Sequence, residues 1–120
     1  MTNASTTEAG TDPMIRAVRR SGSVTELILR APDSLLYFDG HFPRFPILPG
    51  VVQVDWAIRL GRRHLALDAS PARTVQVKFR KPIHPNAELT LALSLAHDGR
   101  RLAFEYRDAQ GIYSSGQIGF

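Results

Sequence analysis

The chain has 120 residues, no cysteine and a formal net charge of +4, with 43% hydrophobic and 22% charged residues. That suggests one domain of ordinary globular composition, large enough to bury a core unaided, and it excludes disulfide stapling, thiolate metal sites and cysteine nucleophiles. No apolar run nears the roughly 20 residues that span a bilayer, and the polar opening "MTNASTTEAGTDP" lacks the apolar core of a secretory signal, so the expected location is cytoplasmic.

Residues 1–12 carry almost no apolar side chains and read as a disordered polar tail, leaving 13–120 as a single domain. "MIRAVRRS" from Met14 reads as a weak strand, Gly22 as a turn, and "SVTELILRA" as a second strand with Thr25, Leu27 and Leu29 on one face. Pro32 ends it. Ser34 to Pro49 holds too many prolines for regular structure, and Phe38, Phe42, Phe45, Ile47 and Leu48 anchor it as a loop.

A helix is predicted over 50–67, with Val51, Val54, Ile58 and Leu65 in register and Val52 and Leu60 widening the stripe. Its first turns are apolar around much of the circumference, which predicts cover on more than one side. After Pro71 the period changes to two: Val75, Val77 and Phe79; Leu89 to Leu95; Leu102, Phe104 and Tyr106; Ile112 to Ile118. Asp98-Gly99 and "DAQG" supply turns, so four consecutive strands in an antiparallel meander are expected. The predicted fold class is α+β: a curved antiparallel sheet of about six strands wrapped round one helix.

Thirteen of the 15 basic residues are arginine, a surplus that favours an anionic partner. They occur only in short pairs such as Arg19-Arg20 and Arg62-Arg63, without the Gly-aromatic strand motif of RNA binders, so no nucleic acid is expected.

Three positions in "FDGHFPRFPILPGVVQVDWAIR" could carry chemistry. His41 titrates near neutral pH, as a general base must, and stands among prolines that restrain its backbone; it reads equally as a loop histidine bonded for structure. Asp55 lies in an apolar helix, either paired with Arg59 at i+4 or facing a cavity to exchange protons; spacing alone favours the pair. Pro49-Gly50 opens the helix, where free N–H groups and the dipole suit a developing oxyanion, or where a rigid turn simply ends.

The order of these residues is informative. "GHFPRFPILPGVVQVD" resembles the His-Phe-Pro, Pro-Ile, Pro-Gly, acid signature of the hot-dog-fold 3-hydroxyacyl-acyl-carrier-protein dehydratases, and "VKFRKPIHPNAELTLAL" is similar to their Phe-basic-basic-Pro-x-x-Pro segment. The resemblance covers Met14 to Phe120. An aspartate in place of glutamate is similar to the bifunctional dehydratase-isomerase branch, and "PILPGVVQVDWA" is closer still to the small dehydratase-like proteins of aryl-polyene clusters.

The resemblance implies a lyase of fatty acid or polyene biosynthesis that removes water from a 3-hydroxyacyl thioester on acyl carrier protein. His41 would be the base and Asp55 the acid, the two coming from different subunits of a dimer made with itself or a related subunit. The Gly50 N–H would hold the thioester oxygen, and Phe42, Pro49, Val51, Trp56 and Arg59 would line the substrate site. No cofactor is implied beyond the phosphopantetheine arm that carries the substrate. Arg62, Arg63, Arg80 and Lys81 are the expected carrier-protein docking residues. Alternatives on the same fold are an acyl thioesterase and a non-catalytic acyl or carrier-protein-binding subunit.

Three departures stand out. Arg59 replaces the family's usual glutamine, and a cation beside an acid opposes proton donation. Arg44 replaces a glycine, and Trp56 replaces a smaller residue, either narrowing a tunnel or filling the core. His64, His84 and His97 form no ligand pattern, so no metal is expected.

Overall fold

The computed structural model describes residues 10–35, 38, 47–67 and 70–120. Six strands form one antiparallel sheet: β1 (Met14–Ser21), β2 (Val24–Arg30), β3 (Thr74–Phe79), β4 (Glu88–Leu95), β5 (Arg101–Asp108) and β6 (Gly111–Gly119). Among the described residues one helix, the 15-residue α1 (Gly50–His64), packs against this sheet. This is the hot-dog arrangement that the sequence resemblance implies.

The strand order is β1-β2-β4-β5-β6-β3. Only β4, β5 and β6 make the expected meander. β3 does not pair with β4; it runs to the far edge and pairs with β6, while β4 pairs with β2. The physical reason lies in residues 80–87, where two prolines replace a tight turn. Their segment crosses beneath the strand ends and is tied on both sides: the Leu48 N–H donates to Ile83 O at 2.8 Å and the Asn86 N–H to Ala31 O at 2.6 Å. Ile83 is fully buried at the crossing.

Alternation on each strand feeds one continuous core face. The register aligns Leu27, Leu91, Tyr106, Ser114 and Phe79 in one row, and Thr25, Leu93, Phe104, Gly116 and Val77 in the next. Gly116 has no room for a side chain: a Cβ there would stand 2.2 Å from Gln76 O, so glycine lets β3 approach β6.

The helix packs on these rows with Val52, Gln53, Trp56, Ala57, Leu60 and Gly61. This stripe is rotated from the predicted one. Val51 is 76% exposed rather than core, and Val54, Ile58 and Leu65 are only partly buried. Trp56, the largest side chain available, is fully buried and turns its own face inward. The expected cover on more than one side is not supplied by the described residues. The helix also stops at His64, short of the predicted residue 67: Leu65 turns to extended backbone and Leu67 dips into the core. Arg20 Nη1 caps the last turn by donating to His64 O at 3.0 Å.

The row carrying Tyr106 and Ser114 meets the second helical turn through a buried polar cluster. Tyr106 donates its hydroxyl to the Gln53 carbonyl at 2.7 Å, and Ser114 donates to Gln53 Oε1 at 2.7 Å. Gln53 Nε2 in turn donates to Leu48 O at 3.3 Å. Burial pushes the Tyr106 hydroxyl well above its ordinary pKa, so it stays a donor. One side chain thus fastens the helix start, the incoming loop and the sheet together.

Two outcomes test this packing. Gln53→Leu strands the buried Ser114 hydroxyl and Leu48 carbonyl, so urea unfolding should show a loss of about 2 kcal/mol, most of it recovered when Ser114→Ala is added. A loss below about 0.5 kcal/mol would contradict the bonding pattern. His64 has its pKa lowered from 6.5 by burial and by Arg63 and Arg20, and its Nε2 has no partner among the described residues. A depressed histidine binds its proton first in the unfolded chain, so stability should fall as pH drops below 6.5. Melting of His64→Asn should depend less on pH than wild type between pH 7 and pH 5.

Candidate functional site

The site forms where the loop ends and the helix begins. Pro49, at φ −59° and ψ 146°, brings the chain into α1 without a side-chain cap. Its carbonyl accepts from the N–H groups of Val52 at 3.1 Å and Gln53 at 3.2 Å. The N–H groups of Gly50 and Val51, ahead of those two, have no acceptor within the helix, and the positive end of the helix dipole is here. Gly50 stands directly beneath the ring of Phe79; a Cβ at residue 50 would lie 2.4 Å from that ring. Glycine is what allows strand β3 to close so tightly on the helix start.

Beside Gly50 runs a groove of about 340 Å³ lined by Ile47, Leu48, Gly50, Gln53, Phe79, Arg80, Lys81 and Pro82. Apolar walls with a few polar groups are typical of small-molecule sites. Phe79 is 51% exposed and Val75 47% exposed at its rim and along β3. Val51, at the second helical position, is 76% exposed among the described residues.

Asp55 lies on the opposite side of α1 from the core. At about 100° per residue, Val51, Asp55, Ile58 and Arg62 share that outward face. The Asp55 side chain is 54% exposed and accepts from Arg59 Nε at 2.9 Å. Arg59 therefore does not point away from the acid. It also pairs with Asp12, and its Nη2 donates to Thr11 O at 3.0 Å. Burial weakens the guanidinium's hold on its proton, yet the two carboxylates hold its pKa above the ordinary value. Burial of Asp55 among apolar groups, expected from the sequence, is not supplied by the described residues.

Trp56 fills the core rather than a tunnel, and its Nε1 donates to Thr11 O at 2.8 Å. Thr11 and Asp12 belong to the stretch assigned to a tail; here both contact α1. His41 and Phe42 lie outside the described residues, as does Arg44.

The four expected docking residues fall into two groups. Arg62 and Arg63 are in the last turn of α1, where Arg62 Nη2 donates to Ser70 O at 2.8 Å. Arg80 and Lys81 are at the groove beside the first turn. Lys81 Nζ sits 4.4 Å from the centre of the Tyr113 ring and 3.9 Å from Asp108 Oδ1. Tyr113 donates its hydroxyl to Asp108; burial and that carboxylate push its pKa up to about 12.

Gln53 and Asp12 take part in the site's framework without having been singled out from sequence. Gln53 sits at a core position in the helical register, which is the signal that a polar residue there must be bonded. Asp12 carries no such signal. Among the described residues, no group of three or more His, Cys, Asp or Glu side chains could hold a metal ion. No helix among them is long and apolar enough to cross a membrane.

Comparison with known proteins agrees with this fold. A 3-hydroxyacyl-[acyl-carrier-protein] dehydratase, FabZ, of Desulfotalea psychrophila is 31% identical over 78 residues, which are 57% of this chain and 51% of that protein. The chain spans about half the length of the curated relatives it matches. A chain of the dehydratase heterocomplex ApeI:P from Xenorhabdus doucetiae superposes with a TM-score of 0.80 at 29% identity, covering 90% of this chain and 96% of that one. A thioesterase superfamily protein superposes with a TM-score of 0.63 at 17% identity, over 92% of this chain and 56% of that one, which shows a shared fold. The ApeI-like family, described as ApeI dehydratase, matches residues 17–117, and this chain belongs to it.

Proposed function

We propose that the chain dehydrates a 3-hydroxyacyl thioester carried on acyl carrier protein, giving the trans-2-enoyl thioester. The observation that carries this reading is the placing of Asp55 on the outward face of a helix whose uncapped first turn opens at Gly50 beside an apolar groove. An acid, an oxyanion donor and a slot for an acyl chain are what the reaction requires.

In this reading His41 removes the proton from C2, made acidic by the thioester. The Gly50 N–H steadies negative charge on the thioester oxygen. The C2–H electrons form the C2–C3 double bond, the C3–O bond breaks, and Asp55 gives its proton to the departing hydroxyl, which leaves as water. His41 comes from a second subunit, a copy of this chain or a related one. That subunit also covers Val51, Val75 and Phe79 and supplies the burial that Asp55 lacks here. The relatives' names support the reaction, and the heterocomplex of the Xenorhabdus relative supports the assembly. The reading gives the chain no metal and no cofactor beyond the arm that brings the substrate. An acidic carrier protein suits its arginine surplus, with complementary charge acting mainly on the rate of encounter.

A second reading has a specific observation behind it. Arg59 Nε already occupies Asp55 at 2.9 Å, an engagement that a non-catalytic carrier-protein-binding subunit would tolerate.

One assay separates them. Incubated with a 3-hydroxyacyl carrier protein, the chain should form the enoyl product, and Asp55→Asn should lower kcat about 10²- to 10³-fold, the usual worth of a general acid. Carrier-protein binding without turnover, across several acyl lengths and with a related subunit added, would favour the second reading. Release of free thiol would instead indicate a thioesterase.

A further inference from the structure

The segment at residues 10–13 crosses α1 next to Asp55, and its contacts are organised round one side chain. Arg59 offers N–H groups in three directions, and each meets a different acceptor: Asp55 through Nε, Asp12 through Nη1 and the Thr11 carbonyl through Nη2. The Thr11 carbonyl also accepts from Trp56 Nε1 at 2.8 Å, so the strap is fixed to the core as well as to the guanidinium. Arg63 lines the same small cleft as Asp12, Trp56 and Arg59.

We propose that Asp12 is a positioning residue for Asp55, acting through Arg59, so that the chain's amino-terminal strap is part of the active site. The inference rests on the reading of Asp55 as the acid. A flexible arginine on a helix surface has several arrangements for an i+4 partner, and many such pairs contribute little. A planar fork anchored at two other points has few. The strap also brings a second carboxylate to the one cation. Held between two carboxylates, Arg59 presents its Nε to Asp55 in a fixed orientation.

The test is a double-mutant cycle on enoyl formation, read with intrinsic fluorescence. Arg59→Gln retains a donor for Asp55 and serves as the second background. In wild type, Asp12→Asn should lower kcat about five- to tenfold with KM within about twofold, and Asp12→Glu should restore it. In Arg59→Gln the same substitution should have no effect. Unchanged kcat, or an equal loss in both backgrounds, overturns the proposal. Trp56 is the only tryptophan, so its emission reports the strap without any turnover. Should wild type make no enoyl product, the dehydratase reading fails on its own. Fluorescence then decides for the strap: a red shift in Asp12→Asn and Arg59→Gln upholds it, and unchanged emission in both overturns it.

Discussion

Trp56, Val52 and Leu60 press one face of α1 into the leucine rows of the sheet, and a helix fastened in this way has its opposite face outward. Burial of these side chains is the main favourable contribution to the fold. Its geometric consequence is that Val51 and Asp55 are turned away from the six-stranded sheet. Val51, Val75 and Phe79 are exposed apolar side chains, and such surface is unfavourable to leave in water, more so as it grows contiguous. The same packing that makes the domain stable leaves these side chains exposed among the described residues, and in the proposed reading a second subunit covers them.

Polar contacts then fix where the candidate site sits. Gln53 holds the end of the loop and the sheet to the second turn of the helix, so Gly50 and the groove beside it have a defined position. Arg59 does comparable work one turn further along, between Asp55 and the strap. In both cases a long polar side chain joins segments distant in sequence. The cost of burying or ordering it is offset by bonds at both ends.

Much of the fold was legible because alternation survives in each strand: Leu89 to Leu95 and Leu102 to Tyr106 lie where the period of two places them. The place of β3 was not legible, since an exposed-looking strand with alternating valines pairs equally well with either neighbour, and only the register with β6 decides. Rotation of the helical stripe was missed because Val51 and Val54 look like core; Trp56 outweighs them in volume and area. At the candidate site, the opening of the helix at Gly50 and the Asp55–Arg59 pair were readable from spacing. Gln53 was hidden by its polarity, and Asp12 by a polar, low-hydrophobicity stretch that composition assigns to a tail. Contacts over more than 40 residues, such as Thr11 with Trp56, leave no periodic trace.

The central claim is that a complete site needs two chains, each giving one half. Mixing inactive His41→Ala and Asp55→Asn chains, unfolding and refolding them together, and assaying enoyl formation tests it most directly. A mixed dimer contains one site with both native residues and one with neither. Equal mixing should thus restore about a quarter of wild-type activity. Refolded mixtures that form dimers yet stay as inactive as either parent would contradict the account.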